Sequence, residues 1–232
     1  HTLKDPASSL DNYVFEGWYS DSSFTNKVTE IKGSDLKDIT VYAKFVQQVK
    51  FTFTNNSRGG YTLTSCEGFG VIEIPSTYNG KNVTEIAPGA FSGQTEITEI
   101  KIPATVSKID VTAFNDCTSL EKFDVASQNT TYASLNGIIY NPAYTVIFKY
   151  PMGKKDKVYH APKTLDVVQS NAFYGCLYLE QVNLPNDSTG IDGVGKIGIS
   201  AFENCTALKN IELGYLANYF EDRCFMGCTS LQ

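Results

Sequence analysis

The sequence has 232 residues, a formal net charge of −6 at pH 7 and a charged fraction of 19%. Its lysines and arginines form no stripe, which argues against nucleic acid as a partner. No apolar run approaches the roughly 20 residues that span a membrane as a helix. A chain of this length is expected to hold one elongated domain and a small additional module.

The first predicted element is a small β module over residues 1–47. It contains the stretches FEGWYSD and ITVYAKF, and Trp18, the only tryptophan of the chain, is expected to anchor its core. The second stretch alternates as in a half-buried strand. Its apolar positions are Ile39, Val41, Ala43 and Phe45. Both stretches resemble an internalin-type B-repeat, whose pattern has a further strand upstream, so we expect the chain to begin inside this module.

Residues 48–70 are predicted to form a β-hairpin that opens the following domain. The stretch VKFTFTNNSRGGYTLTSCEG, from Val49 to Gly68, contains two strand-like runs. Asn55–Gly60 supplies the residues favoured in the turn between two such runs.

Residues 71–232 repeat one short pattern. SAFENC, TAFNDC, NAFYGC and CFMGC place a phenylalanine three residues before a cysteine, and GAFSGQ has glutamine there. Self-similarity at 20–30 residues indicates a solenoid, because one unit cannot bury its apolar face without stacking on a neighbour. The phenylalanines are Phe91, Phe114, Phe173, Phe202 and Phe225. We number the other positions of the repeat from this phenylalanine, which is position 0.

Matched side chains recur at four other positions of the repeat. Position −8 holds Val83, Val106, Leu165, Val194 and Ala217. Position −5 holds Ile86, Ile109, Val168, Ile197 and Phe220. Position −1 holds Ala90, Ala113, Ala172, Ala201 and Cys224. Position +6 holds Ile97, Leu120, Leu179, Leu208 and Leu231.

The spacing between Phe114 and Phe173 is the longest of the array and contains an excursion near 126–157. This excursion is predicted to be one irregular turn with strand-like runs GIIY and YTVIFKY. Its tyrosines fit either an interaction surface or a cap on that turn. They are Tyr140, Tyr144, Tyr150 and Tyr159.

Four of the six cysteines share position +3 of the repeat, and a thiol ladder inside the coil is predicted. Free cysteine packs as a small hydrophobe. A disulfide stays an alternative, since stacked strands lie about 4.8 Å apart, although side chains of one ladder point the same way. The cysteine spacing is not that of metal ligands, and a nucleophilic thiolate needs an accessible electropositive site. The four are Cys117, Cys176, Cys205 and Cys228.

No motif indicates an enzyme or a cofactor. GVGKIG matches a dinucleotide-binding pattern, but its Val194 and Ile197 occupy repeat positions and no helix pattern follows. Paired carboxylates occur without anything that would hold them across a cleft.

The unit I-x-I-P-x-x-V-x-x-I-x-x-x-A-F-x-x-C-x-x-L, as in Ile100–Leu120, resembles the BspA-type leucine-rich repeat. The resemblance implies a β-rich solenoid, a right-handed leucine-rich-repeat coil with short strands and few or no long helices. It also implies a secreted or wall-attached bacterial surface protein that mediates adhesion. Its partner would then be a protein, host matrix included, or a glycan on a host or neighbouring cell.

Stacked strands would place their outward side chains on one exposed face, a typical binding surface of solenoids. The candidate partner-binding residues are Glu99, Lys101, Lys122, Asp124, Gln181, Asn183, Asn210 and Glu212. The alternatives are a structural spacer and an ancillary carbohydrate-binding region of a larger surface protein. Because CTSLQ ends where another strand should follow, we expect a fragment of a longer array.

Overall fold

A computed structural model describes residues 3–6, 13–31, 39–185, 195–213 and 219–232. These residues are rich in short strands and include no helix, hence none that could cross a membrane. The chain divides into two compact units, His1–Lys50 and Phe51–Gln232, here called the N-terminal unit and the repeat unit. The predictions made for Val194 and Ala217 fall outside the described ranges.

The N-terminal unit contains an antiparallel sheet with strand order β2-β1-β3. Its strands are β1 (Tyr13–Tyr19), β2 (Lys27–Val28) and β3 (Tyr42–Gln47). Tyr19 is buried, whereas Trp18 is half-buried and meets Phe15 edge-on with ring centroids 5.5 Å apart. The indole nitrogen of Trp18 donates to the Lys4 carbonyl at 3.1 Å, on the exposed side of the sheet. Trp18 thus packs within an aromatic cluster of this unit, although it is less buried than Tyr19.

Successive turns of the repeat unit contribute strands to two sides of the coil, with one strand of a turn on each side. One side holds the parallel sheets β6-β9-β11 and β15-β17-β19, and the other holds β10-β8-β5-β4 and β12-β13-β14-β16-β18. The strands are β4 (Lys50–Asn55), β5 (Tyr61–Glu67), β6 (Gly70–Glu73), β7 (Thr77–Tyr78), β8 (Lys81–Ile86), β9 (Ile97–Ile102), β10 (Lys108–Ile109), β11 (Lys122–Val125), β12 (Ala133–Leu135), β13 (Ile138–Tyr140), β14 (Val146–Lys149), β15 (Val158–His160), β16 (Val167–Val168), β17 (Gln181–Asn183), β18 (Lys196–Ile197) and β19 (Asn210–Glu212).

The phenylalanines at position 0 stack between the two sides, as the repeat predicted. Ring centroids are 5.3 Å apart for Phe91 and Phe114, and 4.6 Å apart for Phe173 and Phe202. A backbone bond accompanies the stacking, because the N–H at position 0 donates to the carbonyl at position −1 of the next turn. This bond is 2.8 Å from Phe91 to Ala113 and 2.7 Å from Phe173 to Ala201. Equivalent side chains of successive turns therefore stack on one another and form the core.

Left-handed backbone recurs at position +2 of all five repeat phenylalanines and at position −2 of all of them except Phe114. Glycine, asparagine and aspartate tolerate this conformation best and fill every position +2, whereas at position −2 Ser200 and Arg223 adopt it as well. Positive φ angles at position −2 belong to Gly89, Asn171, Ser200 and Arg223, and at position +2 to Gly93, Asp116, Gly175, Asn204 and Gly227.

The excursion contains a complete repeat turn rather than the single irregular turn expected from the sequence. Tyr150 occupies position 0, since its ring stacks on Phe173 at 5.2 Å and its N–H donates to the Ala172 carbonyl at 2.7 Å. Nine residues later Tyr159 pairs with Val182 in the parallel ladder. The turn escaped the pattern because its other positions are atypical. Lys149, Gly153 and Asp156 stand at positions −1, +3 and +6.

Two of these atypical residues connect the turns on either side of the excursion. The buried Lys149 ammonium group donates to Asn115 Oδ1 at 3.2 Å and to the Asn171 carbonyl at 2.8 Å. The Gly153 N–H donates to the Leu120 carbonyl at 2.8 Å. A Cβ on Gly153 would lie 2.5 Å from the Thr118 carbonyl oxygen, so only glycine permits this approach. We call this junction between the two halves of the repeat unit the seam.

The tyrosines of the excursion do not form an interaction surface. Tyr140, Tyr150 and Tyr159 are buried, and the hydroxyls of Tyr140 and Tyr159 lie 2.9 Å apart. Tyr144 is partly buried and packs edge-on against Tyr140. Burial of the excursion as a repeat turn explains why these rings face the core.

Candidate functional site

Four of the candidate binding residues lie together on the sheet β6-β9-β11. β9 and β11 run parallel in register, which places Lys122 beside Glu99 and Asp124 beside Lys101. Lys122 and Glu99 form an ion pair at 3.0 Å. The alternating residues of both strands point inward and are buried. We call this surface the first strand face.

The other four candidates lie on the sheet β15-β17-β19, here called the second strand face. Register pairs Gln181 with Asn210 and Asn183 with Glu212. Gln181 Nε2 donates to Asn183 Oδ1 at 2.8 Å. Because β11 and β15 belong to different sheets, the single continuous ladder expected from the sequence is divided into two faces.

The β12–β13 hairpin ends the first strand face. Phe123 N–H donates to the Gly137 carbonyl at 2.9 Å, and Val125 N–H donates to Ser134 Oγ at 3.0 Å. Asn136 and Gly137 form its two-residue loop with φ angles of 53° and 80°, the geometry that Asn-Gly favours. The Asn-Gly pair between strand-like residues could have revealed this hairpin in the sequence.

Two pockets that share Asp124 lie along the first strand face, and we call them together the groove. Its larger part has a volume of about 530 Å³ and lies between β11, the β12–β13 hairpin and residues 154–156. Its smaller part, of about 180 Å³, lies between β6, β9 and β11. Asp124 lines both parts, and Lys101 and Lys122 line one part each. The groove thus contains three of the predicted binding residues.

Ion pairs surround the strand faces and largely neutralise them. Near the groove, Lys155 pairs with Glu121 at 2.6 Å and Lys154 with Asp156 at 3.0 Å. On the same side of the coil, hydrogen bonds from Lys157 and Lys209 lower the pKa of Glu180 to about 2. Exposed pairs of this kind contribute little to stability, but they leave the faces without a strong net charge.

The six cysteines are free thiols, and they serve as packing groups. Cys117 Sγ donates to the Phe91 carbonyl at 3.0 Å, and Cys205 Sγ donates to the Phe173 carbonyl at 2.9 Å. Cys66, which lay outside the sequence pattern, donates its N–H to Ala90 as a residue at position 0 does. Burial raises the pKa of Cys117 to about 12, and the Cys176 thiol and burial raise that of Cys205. Such thiols are poor nucleophiles at neutral pH.

The glycine-rich stretch GVGKIG does not form a dinucleotide site in the part that the structure describes. Lys196 and Ile197 form β18, and Ile197 is buried beside Val168. The residues that follow, from Gly198 to Asn204, are turns of the repeat rather than a helix. Gly193 and Val194 lie outside the described ranges.

A model of the BspA type leucine rich repeat region matches residues 8–136 and 155–232 in six copies. No curated protein shows a significant match to the chain. The match begins within the N-terminal unit and leaves out much of the seam, where the repeat is least regular. The resemblance of the first residues to an internalin-type B-repeat is not among the matches.

Solved structures resemble the chain to different degrees. The pneumococcal vaccine antigen PcpA is 24% identical with a TM-score of 0.58, and the match covers 70% of this chain and 44% of that one. For the T. pallidum leucine rich repeat protein TpLRR, identity is 26%, the TM-score 0.49 and the coverage 78% and 88%. This chain thus spans less than half of PcpA. Because the family model accounts for most of its residues, the chain belongs to the BspA-type leucine-rich repeat family.

Proposed function

We propose that the chain is part of a bacterial surface protein, secreted or attached to the cell wall, that binds other proteins without catalysing a reaction. The two strand faces would carry the binding, and adhesion to host matrix or to neighbouring cells would be its purpose. The observation on which this depends is the alternation of the parallel strands. Because of this alternation, the inward side chains pack in the core and the outward polar side chains form ordered rows on the surface.

Two features support binding rather than chemistry. Five of the six thiols are buried, and the raised pKa values of Cys66 and Cys117 leave them protonated at neutral pH. The outward rows, in contrast, combine exposed Lys122, Asp124 and Glu212 on a rigid sheet. Side chains held on rigid strands can form complementary contacts at a small entropic cost.

The proposal is tested with the chain immobilised against a panel of extracellular matrix proteins. Two variants each replace one strand face by alanine, and Lys163→Ala, at an exposed turn residue, is the control. Loss of several polar contacts is expected to weaken capture of a bound protein at least about tenfold in one of the two variants. The first variant carries changes at Glu99, Lys101, Lys122 and Asp124, and the second at Gln181, Asn183, Asn210 and Glu212.

The control should retain full binding, and thermal melting should show that both variants remain folded. If no matrix protein is captured, or if both variants bind as well as the original chain, the binding proposal fails. The second result would favour a spacer role for the repeat unit.

A further inference from the structure

The groove on the first strand face has the size of a small-ligand site. Its larger part, at about 530 Å³, lies within the roughly 300–1,000 Å³ typical of such sites. The seam creates it, because the excursion moves the next turn away from β11 and inserts the β12–β13 hairpin. The feature is therefore particular to this array, and the regular stacking of identical turns would not produce it.

The floor of the groove excludes one common mode of peptide binding. An extended peptide can add a strand to an open sheet edge through main-chain hydrogen bonds. Here the outward N–H groups of Phe123 and Val125 already donate to Gly137 and Ser134. A peptide therefore cannot add a strand to β11 through these two N–H groups.

Several polar side chains in the groove have no partner among the described residues. They are the Asp124 carboxylate, the Asn136 carboxamide and the Lys101 ammonium group, which have neither an ion pair nor a side-chain hydrogen bond there. Ser134 Oγ accepts from Val125, which leaves its hydroxyl hydrogen able to donate. The groove thus offers free acceptors and free donors in similar number.

The charges around the groove favour an uncharged ligand. Three carboxylates line its larger part, from Glu121, Asp124 and Asp156, and three lysines oppose them, Lys122, Lys154 and Lys155. An anion or a cation would meet as much repulsion as attraction. Hydroxyl groups of a sugar each donate and accept, and a carboxylate accepts from two neighbouring hydroxyls, which matches Asp124 and Asn136.

We propose that this groove binds a neutral oligosaccharide, with Asp124 as the central acceptor and Asn136 as a second contact. Lys101 and Ser134 supply donors on either side of Asp124. The glycan site shares Lys101 and Asp124 with the first strand face but is separate from the second, so a protein held by the second face alone can bind together with the glycan. The inference goes beyond protein binding and does not depend on it.

The test uses an array of neutral host and microbial oligosaccharides, followed by titration of the strongest one into the ¹⁵N-labelled chain. The amide signals of Gly137 and of the Asn136 side chain are expected to shift. Asp124→Asn, which keeps the shape but removes the carboxylate, is expected to weaken binding at least about tenfold. Asn136→Gly keeps a residue suited to the positive φ angle and is expected to weaken it severalfold.

The matched control is Asp116→Asn, which removes an exposed carboxylate outside the groove at a position where asparagine fits the backbone. It should bind the oligosaccharide as the original chain does, and so should the variant of the second strand face. The proposal is overturned if no neutral oligosaccharide binds, if only charged glycans or peptides bind, or if Asp124→Asn binds unchanged. Loss of matrix-protein binding with the glycan titration intact would contradict only the protein-binding proposal.

Discussion

Lys149 is the residue in which this chain departs most from its own repeat. Alanine or cysteine fills position −1 of the other turns, whereas here a lysine is buried with its ammonium group between Asn115 and Asn171. Burial lowers the pKa of Lys149 from 10.5 to about 8. The side chain hydrogen-bonds across the seam, but keeping its charge away from water opposes folding.

Lys149 makes a pH dependence of stability testable. Between pH 8 and 10.5 the unfolded chain retains a proton that the folded chain has released, so raising the pH favours the folded state. Below pH 8 Lys149 stays protonated in the folded chain, so the full free-energy cost of burying its charge applies. The free energy of unfolding of the original chain should therefore rise, relative to Lys149→Met, by up to about 1.4 kcal/mol per pH unit in this window. Urea unfolding at pH 7, 8, 9 and 9.5 measures it.

Comparing the original chain with Lys149→Met cancels the contribution of the other titrating groups to the pH dependence. Tyr140, for example, has a raised pKa of about 12, which affects both proteins alike. Lys163→Met, at an exposed position, controls for the loss of one positive charge. A constant difference between the original chain and Lys149→Met from pH 7 to 9.5 would show that the ammonium group is not buried as described.

Each turn, as an element, depends on its two neighbours. Phe202 stacks on Phe173 at 4.6 Å and on Phe225 at 5.5 Å, whereas Phe225 is only partly buried. Phe202→Ala is expected to lower the free energy of unfolding by about 3–5 kcal/mol, the usual effect of a large cavity in a core. Phe225→Ala should also lower the free energy of unfolding, but its loss should be smaller than that of Phe202→Ala by at least about 1 kcal/mol. Chemical unfolding of both variants is the measurement, and equal losses would contradict the stacking order.

The repeat positions were predictable from sequence because each has one dominant physical demand. Position 0 needs a large ring, position −1 a small side chain and position +3 a small apolar one. The turn of Tyr150 was not predicted, because its lysine, glycine and aspartate satisfy local contacts at the seam instead. One signal was present: Tyr150 precedes Phe173 by 23 residues, the same spacing that separates Phe91 from Phe114.

At the scale of the repeat unit, the outward direction of the candidate side chains was predictable from the sequence, but the layout of their strands was not. Alternation identified which side chains of β9, β11, β17 and β19 point outward. Their division into two faces depends on where the hairpin and the seam pack, and contacts more than 20 residues apart in sequence fix that packing, such as Ile109 N–H to the Tyr132 hydroxyl at 2.9 Å. The larger part of the groove lies where the two faces are divided, so a local sequence pattern does not predict it.

The central claim is that the core is one ladder of stacked turns that continues through the seam with Tyr150 at position 0. The Tyr150 hydroxyl is buried without a hydrogen-bond partner among the described residues, and phenylalanine fills this position in the five turns that match the repeat pattern. The most direct measurement is the free energy of unfolding of Tyr150→Phe and Tyr150→Ala in urea. Tyr150→Phe should gain about 1 kcal/mol, since an unpaired buried hydroxyl is removed, and Tyr150→Ala should lose about 3–5 kcal/mol. A loss on Tyr150→Phe, or a loss below about 1 kcal/mol on Tyr150→Ala, would contradict the continuous ladder.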